Sequence, residues 1–281
     1  MDAGPPELDS RIADFYQQTA EESRLEHGPF LLEALRTREL IQRYAPAAPA
    51  TVVDVGGAAG AYALWLAEAG YAVHLLDPVP RLVAEARRRS ATRSRPLASC
   101  EIGDARAMSF SDATADIVLL LGPLYHLTTV ADRARTLAEA ARVLKPGGRL
   151  FAAAISRWAS ALDGLVRDLF QDPDFVAIVD NDIREGQHRN PTSRLDYFTT
   201  SYFHRPEDFS AEVRENGLIV DGLFGIEGPG WLLPDVNERL QDARRRADLL
   251  RVARIFESEP SLLGVSAHLL LVARKPSISR T

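Results

Sequence analysis

The sequence has very little cysteine and no long hydrophobic run. Its single cysteine, Cys100, excludes an intramolecular disulfide framework and is typical of a chain that works in a reducing compartment, so a cytoplasmic location is expected. No stretch approaches the roughly 20 consecutive apolar residues of a membrane span. Residues 1–10 are acidic and lack the apolar segment of a signal peptide. These absences predict a protein without a membrane partner.

Lysine is also scarce and occurs only at Lys145 and Lys275, so nearly all of the 33 basic residues are arginines. The formal net charge of −6 argues against a nucleic-acid-binding surface. Two arginine runs, at residues 87–89 and 244–246, lie on predicted helices, where a solvated helix face is the favoured interpretation. Apolar residues, in contrast, are plentiful. They make up 46% of the 281 residues, which is enough for a sizeable core.

The chain is organised around a strand, a glycine-rich turn and a helix that begin within residues 51–60, TVVDVGGAAG. The β-branched apolar run predicts a buried strand. Gly56, Gly57 and Gly60 predict a tight turn in which the main chain can approach a ligand closely. The free N–H groups and the dipole of the following helix favour a negative group there. A tight turn that binds nothing is the alternative for this motif.

Strands and helices alternate through most of the chain, as in a doubly wound α/β sheet with parallel strands. Strands are predicted near residues 52–55, 72–76, 97–102, 115–121, 149–155, 218–226 and 261–275. Helices are predicted over residues 8–25, 30–44, 80–92, 206–216 and 235–257, with another that ends near residue 144. Thr129 and Asp132 resemble a capping box for that last helix, and KPGG at residues 145–148 predicts a type II turn.

The alternation is interrupted twice, which divides the chain into three regions. Residues 1–46 are predicted to form an N-terminal helical cap, and residues 47–155 with 206–275 form the α/β core. Residues 156–205 follow the carboxyl end of a strand, where substrates bind in such sheets. The aromatic residues of this segment include Tyr197, Phe198, Tyr202 and Phe203. We interpret this insertion as a partly helical lid, with a structural excursion that gates nothing as the alternative.

Three acidic residues follow three successive predicted strands, namely Asp54, Asp77 and Asp104. Because the carboxyl ends of parallel strands meet at one edge of the sheet, all three can face one cleft. An acid after the second strand can accept two hydrogen bonds from a ribose diol. An acid after the third strand can meet the exocyclic amine of adenine. A helix cap or a turn aspartate is the alternative for each residue taken singly.

This ordered set of motifs resembles the class I S-adenosylmethionine-dependent methyltransferases, of the type that acts on small molecules. The matching segments are VVDVGGAAG, LLDP, GDARAMSF, DIVLLLGPLYHL and RVLKPGGRLF. They cover residues 50–155, and residues 202–218 with the final strand extend the resemblance loosely. It implies a Rossmann-like, seven-stranded sheet whose last strand is antiparallel. One position departs from the pattern, because Ala58 stands where the middle glycine is usual.

The resemblance implies S-adenosyl-L-methionine as the cofactor and assigns residues to its parts. Those implied to contact it are Tyr16, Arg24, Asp54, Gly56, Gly57, Gly60, Asp77, Pro78, Asp104, Ala105, Leu121 and Gly122. Asp54 and its glycines would lie against the methionine part, Asp77 would hold the ribose, and Asp104 with Ala105 would read the adenine. Leu121 and Gly122 would offer backbone groups to the amino acid end. Tyr16 and Arg24 would close over the cofactor, with ordinary surface or packing roles as the alternative.

Methyl transfer requires mainly that a nucleophile be held in line with the reactive methyl group and that water be excluded. The loop at residues 122–126 is the place for a base, and His126 is the first candidate, with Tyr125 beside it. A core or capping histidine is the alternative for His126. Substrate contacts are predicted for His204, Trp231 and His268, although a satisfied buried histidine or plain packing is the alternative. No metal-ligand spacing is present, so a metal-independent transferase is expected.

Two other functions compete with this one. A nicotinamide dehydrogenase shares the first half of the fold, but Ala58 and Ala61 stand where its G-x-G-x-x-G pattern requires glycines. The other is a protein that binds the cofactor but performs a non-methylating reaction or a binding role, because function lies in the site and not in the fold. The expected acceptor is a small organic molecule, by analogy a bacterial secondary metabolite. The methylated atom type and the oligomeric state stay open.

Overall fold

The computed structural model describes residues 9–277. The predicted absence of a signal peptide and the predicted helix start at Leu8 involve residues 1–8, which lie outside the described residues. Within the described range the main sheet has the order β3-β2-β1-β4-β5-β9-β8, and β9 is antiparallel to both of its neighbours. This confirms the predicted Rossmann-like sheet with an antiparallel last strand. The strands are β1 Thr51–Val55, β2 Ala72–Asp77, β3 Ser99–Ile102, β4 Ala115–Leu120, β5 Leu144–Ser156, β6 Gln187–His188, β7 Ser201–His204, β8 Ile219–Gly225 and β9 His268–Arg274.

Apolar residues dictate which strands lie at the centre of this sheet. β1 and β4 are covered on both faces, and Val52, Val53 and Val118 are fully buried. The run Leu269–Ala273 in β9 is fully buried as well, which a strand paired on both edges requires. KPGG lies within the bounds of β5, and Gly147 there has φ +79°, the left-handed angle that a type II turn needs at its third position.

Helices cover both faces of the sheet and build the cap and the lid. They are α1 Ser10–Gln18, α2 Gly28–Tyr44, α3 Ala63–Glu68, α4 Pro80–Ser90, α5 Pro123–His126, α6 Val130–Val143, α7 Ala159–Val166, α8 Pro173–Glu185, α9 Pro206–Glu215, α10 Val236–Gln241 and α11 Ala243–Phe256. Thr129 caps α6 as predicted, because its Oγ1 accepts from the Asp132 N–H at 3.1 Å, and its hydroxyl in turn donates to Asp132 Oδ2 at 2.9 Å. No helix in the described range is both long and apolar enough to span a membrane.

Two predicted helices are interrupted. The helix predicted over residues 8–25 ends at Gln18, and a 3₁₀ helix, Glu21–Glu26, follows it. The helix ends there because Arg81, which is distant in sequence, donates to the carbonyls of Tyr16 and Thr19. In a longer helix these carbonyls would accept from backbone N–H groups of the next turn. The helix predicted over residues 235–257 divides into α10 and α11, because the Asp242 side chain caps α11 by accepting from the Arg245 N–H.

The lid region is more regular than its sequence indicated. It contains α7 and α8, as the expectation of a partly helical segment required, and also the hairpin of β6 and β7. β7 pairs in parallel with the carboxyl end of β5, where Ile155 lies opposite Phe203. The hairpin was not predicted, since β6 is only two residues long and has no alternating pattern. Through β7 the insertion continues the sheet above the carboxyl ends of the core strands.

Candidate active site

A cavity of about 490 Å³ lies at the carboxyl ends of β1, β2 and β4, and we call it the strand-end cavity. It brings together most of the residues that the sequence assigned to a cofactor. Its wall includes Tyr16, Arg24, Asp54, Gly56, Gly57, Asp77, Pro78, Asp104, Ala105, Leu121 and Gly122. Gly60 is not part of this wall. It takes φ +84° and packs on Leu64 behind the turn, so its role is to shape the turn.

The glycine-rich turn leaves no room for side chains at its tip. Gly56 has φ +69°, and a Cβ there would lie 2.9 Å from Pro123 Cδ at the start of α5. Ala58, the departure from the usual pattern, takes φ +47°, so the turn keeps the left-handed angle despite the missing glycine. Its N–H donates to Asp77 Oδ2 at 2.9 Å, which fastens the turn to the end of β2.

Asp77 and Asp54 are both buried, but only one is fully hydrogen-bonded. Asp77 Oδ1 accepts from the Val79 N–H at 2.8 Å, and Oδ2 accepts from Ala58. Burial raises the pKa of Asp77 to about 6 although these bonds oppose the shift. Asp54 Oδ2 has no hydrogen-bond partner in the described residues. Burial, and then the charge of Asp77, raise the pKa of Asp54 to about 7. An unpartnered buried carboxylate oxygen in a cavity wall fits a cationic ligand group.

Asp104 and Arg24 lie in the same wall, but both already have partners of opposite charge. Asp104 forms a bidentate pair with Arg106, at 2.9 Å from Nε and 2.7 Å from Nη2. Arg24 donates to Glu33 at 2.8 Å and to Glu21 at 3.0 Å. A ligand that uses Asp104 or Arg24 must therefore compete with an ion pair. The predicted contacts to adenine and to the cofactor carboxylate stay predictions.

His126 is partly buried, and both of its ring nitrogens are hydrogen-bonded. Nδ1 faces the Thr200 carbonyl at 3.2 Å and must donate to it, so Nε2 accepts from the Tyr16 hydroxyl at 2.7 Å. Burial lowers the pKa of His126 to about 4, and the ring is therefore neutral near neutral pH. Tyr125 is buried beside it. The structure places both residues at the site, but the lone pair that a base would use is already bound to Tyr16.

A second cavity, also about 490 Å³, lies between the cap and the lid, and we call it the lid cavity. Tyr16, Glu21, Arg24 and Tyr125 line both cavities, so the two adjoin. Aromatic side chains dominate its wall. Besides Tyr16 and Tyr125 they are Phe15, Phe30, Phe175, Tyr197, Phe198, Phe203 and Trp231. A pocket of this kind has the size and lining to accommodate a small, largely apolar molecule.

Two of the three residues predicted to contact substrate lie in the lid cavity. Trp231 and His268 line it, and the Trp231 indole N–H donates to the Val265 carbonyl at 2.8 Å, which fixes the ring. His204 lines neither cavity. Its ring is fully buried, with Nε2 3.4 Å from Glu212, because the side chain points from β7 toward α9. The predicted substrate contact of His204 is therefore corrected: this histidine belongs to the packing beneath the lid.

Sequence reasoning missed the acidic partners of the cavity histidines. Glu227 is bonded to His268, Glu33 lies behind it, and Asp182 pairs with His188 in the lid. Glu33 gives a weak signal, as a single charge in the apolar run FLLEAL. Ligand atoms of Glu33, Glu227 and His268 lie within 4.8 Å of one another, close enough to hold a metal ion. Arg24 already neutralises Glu33, so we interpret the group as an ion-paired cluster.

Residues 53–152 match the family model described as a methyltransferase domain. A ubiquinone/menaquinone biosynthesis C-methyltransferase from Acidiphilium cryptum is 32% identical over 154 residues, which cover 54% of this chain and 59% of that protein. A 27-O-demethylrifamycin SV methyltransferase from Amycolatopsis mediterranei is 32% identical over 185 residues, covering 63% of this chain and 58% of that protein. The matches thus span less than two thirds of either relative.

Solved structures extend the likeness beyond the matched domain. A SAM-dependent methyltransferase from Methanosarcina mazei superposes with a TM-score of 0.58 at 16% identity, covering 85% of this chain and 97% of that one. At that identity the likeness concerns the fold alone. The resemblance found in the sequence motifs is confirmed by the family model and by this shared fold.

Proposed function

We propose that this chain methylates a small organic acceptor, because it carries the domain of the class I S-adenosylmethionine-dependent methyltransferases. S-adenosyl-L-methionine would bind in the strand-end cavity, and the acceptor would bind in the lid cavity. One observation carries the proposal: two cavities of similar size share a wall made by Tyr16, Glu21, Arg24 and Tyr125. A donor and an acceptor held in these adjoining cavities would lie next to each other, as methyl transfer requires.

The residues of the strand-end cavity fit the cofactor. Asp54 Oδ2, buried and without a partner, would accept from the ammonium group of its methionine part. Gly56 lies too close to Pro123 for a side chain, so the turn presents its main chain to the cavity. Asp77 would receive the ribose, with Gly122 and Ala105 nearby in the wall. When bound, the cofactor supplies a methyl group already activated by a sulfonium. The chain's own task is to orient the acceptor and exclude water.

The lid cavity supports an uncharged aromatic or polycyclic acceptor. Several of its charged residues are paired, as in the Arg167 bonds to Asp163 and Asp196, and its aromatic wall favours an uncharged ligand. One relative is named for quinone biosynthesis and the other for a rifamycin, both of which are small organic molecules. These names support a small organic metabolite as the acceptor. Transfer would be a metal-independent, in-line displacement in a cytoplasmic enzyme of secondary metabolism, without nucleic-acid or membrane partners.

Calorimetric titration of S-adenosylmethionine into the wild-type protein tests the cofactor assignment. We expect micromolar binding that Asp77→Ala abolishes, because this substitution removes the acceptors of both the turn and the ribose. Asp208→Ala, which changes an exposed aspartate on α9, is the matched control and should bind like the wild type. No binding to folded wild-type protein would refute the assignment.

Formation of S-adenosylhomocysteine separates methylation from the competing function. A panel of naphthols, quinols and other small aromatic hydroxyl compounds should yield turnover with at least one member. Tight cofactor binding with no turnover across such a panel and a wider metabolite library would favour a protein that uses the cofactor fold for a non-methylating reaction or for binding.

A further inference from the structure

His268 is the first residue of β9, and its side chain lines the lid cavity. Its Nδ1 lies 2.6 Å from Glu227 Oε1, and its backbone N–H donates to Glu227 Oε2 at 3.1 Å. Glu227 is itself buried, so one carboxylate holds both the ring and the main chain of this residue. The orientation of the imidazole in the wall is therefore fixed by two hydrogen bonds to the same group.

This bond also fixes which ring nitrogen can act as a base. Because Nδ1 donates to a carboxylate, the neutral ring carries its lone pair on Nε2. Within residues 9–277, Nε2 has no hydrogen-bond partner. The His268 side chain keeps 17% of its surface exposed, and the residue belongs to the cavity wall.

The other histidines of the two cavities lack this property. His126 Nε2 is bonded to the Tyr16 hydroxyl. His188 faces the Asp182 carboxylate with Nδ1 at 2.9 Å and the Tyr197 carbonyl with Nε2 at 2.8 Å, so both of its nitrogens meet acceptors. Of the histidines that line either cavity in the described chain, His268 alone combines an orienting carboxylate with an open ring nitrogen.

We propose that His268 is the general base of the reaction, that Glu227 is its positioning residue, and that the acceptor is an aromatic hydroxyl compound. The inference rests on the proposed function. The proton moves from the acceptor oxygen to His268 Nε2. That oxygen uses an electron pair to bond the methyl carbon, and the pair of the broken carbon–sulfur bond stays on sulfur. The proton on His268 then leaves to solvent when the lid cavity opens.

The charges around His268 suit it to this task. Burial opposes its protonation, but the carboxylates of Glu33 and Glu227 outweigh burial and raise the pKa above the ordinary histidine value, while Arg24 acts against them. The protonated ring that forms during the reaction is thereby stabilised. His126, whose pKa is lowered to about 4, offers no such stabilisation. A base works best when its pKa lies near the operating pH.

Two acceptors that differ in their need for a base test the proposal. 2-Naphthol is un-ionised near neutral pH and needs a base, whereas 4-nitrothiophenol is already ionised and needs none. With EDTA present throughout, we expect His268→Gln to lower kcat on 2-naphthol by about 100-fold or more, and on 4-nitrothiophenol by less than about threefold. His27→Gln, at an exposed histidine outside both cavities, is the control and should leave both rates unchanged.

The positioning role of Glu227 has its own readout. Glu227→Gln should move the acid limb of the kcat/KM profile for 2-naphthol to lower pH, because a carboxylate that raises the pKa of His268 has been removed. Affinity for S-adenosylmethionine should not change. Equal losses on both acceptors in His268→Gln, or an unmoved acid limb in Glu227→Gln, would overturn the proposal and leave His268 a packing residue.

A second measurement keeps the inference testable if the wild-type protein methylates neither probe, and it needs no turnover. Histidine ¹⁵N NMR of the wild-type protein should identify His268 as the Nδ1–H tautomer, with a pKa above the ordinary histidine value. Glu227→Gln should lower that pKa. An Nε2–H tautomer, or a pKa indifferent to Glu227, would refute the assignment of a base without any reference to turnover.

Discussion

Asp54 and Asp77 end adjacent strands, yet their carboxylates are held in different ways. Asp77 accepts two backbone N–H groups, and one of them belongs to the glycine-rich turn. Asp54 keeps one oxygen buried and unpartnered, and its pKa is the higher of the two. Asp77 therefore supports the shape of the turn. Asp54, in contrast, holds an unfavourable buried charge, which a cationic ligand group would stabilise.

Affinity for S-adenosylmethionine should depend on pH through Asp54. The pKa of about 7 in the free protein falls when an ammonium group binds, so binding releases a proton and strengthens as the pH rises toward that value. Between pH 7 and pH 6, where the ammonium group stays largely protonated, we expect a loss of about fivefold in affinity, because the charged fraction of a carboxyl with a pKa of about 7 falls from about one half to about one tenth. Calorimetry at pH 6, 7 and 8 measures it. Asp54→Asn should bind more weakly with little pH dependence, and an undiminished slope in that variant would contradict the assignment.

At the scale of elements, α1 is held over the strand-end cavity by a residue of the core. Arg81, on α4, donates to the carbonyls of Tyr16 and Thr19 and pairs with Glu22. We expect Arg81→Ala to loosen α1, to increase hydrogen exchange in residues 10–26 and to accelerate cofactor dissociation severalfold. Arg88→Ala is the control, because Arg88 lies on the same helix and its ion pair within the described residues is with Glu85 at the surface. Exchange that is equal in the two variants would show that Arg81 does not hold the cap.

The lid helices α7 and α8 pack against each other at Gly164, which has no side chain. A Cβ on Gly164 of α7 would overlap the ring of Phe175 on α8, within the lid core that Phe175 shares with Ile178, Val179 and Tyr197. Gly164→Ala should therefore separate the helices, at a cost of about 1–3 kcal/mol typical of overpacking. The expected result is a higher KM for the acceptor with unchanged affinity for S-adenosylmethionine. Asp180→Ala, on the exposed face of α8, is the control. An unchanged acceptor KM would mean that the lid helices do not shape the lid cavity.

Sequence patterns predicted those elements whose cause is local. The strands of the core carry apolar runs, and the acids after β1, β2 and β3 meet because parallel strands end at one edge. The end of α1 at Gln18 was not predictable, since its cause is Arg81, more than sixty positions away. The cluster of Glu33, Glu227 and His268 was missed for the same reason. Three distant segments contribute one residue each, and no spacing in the sequence records their proximity.

At the scale of the whole molecule, α2 joins the N-terminal cap to the C-terminal half. Its fully buried Arg36 pairs with Glu39, donates to the Ile226 carbonyl and also pairs with Glu257, which follows α11. Glu257 also forms an ion pair with Arg43 of α2, whose Nη1 lies 2.5 Å from Glu257 Oε1. The same helix presents Glu33 toward His268. The anchoring of α2 thus sets the position of a charge beside the lid cavity.

Removal of one partner from this buried network should destabilise the whole fold. Glu257→Gln leaves the Arg36 guanidinium with less compensation in a site closed to water, and losing one member of a buried ion pair costs about 3–5 kcal/mol. Urea denaturation should show a decrease of that size in the free energy of unfolding, with an unchanged m-value. Arg254→Ala is the control: this arginine pairs with Glu39 at the surface, and its removal should cost no more than about 1 kcal/mol. Equal effects of the two substitutions would mean that the Arg36 network does not join the halves. A large effect of Glu257→Gln alone would mean that cap and core unfold as one unit, so that the order of the lid cavity depends on the C-terminal half of the chain.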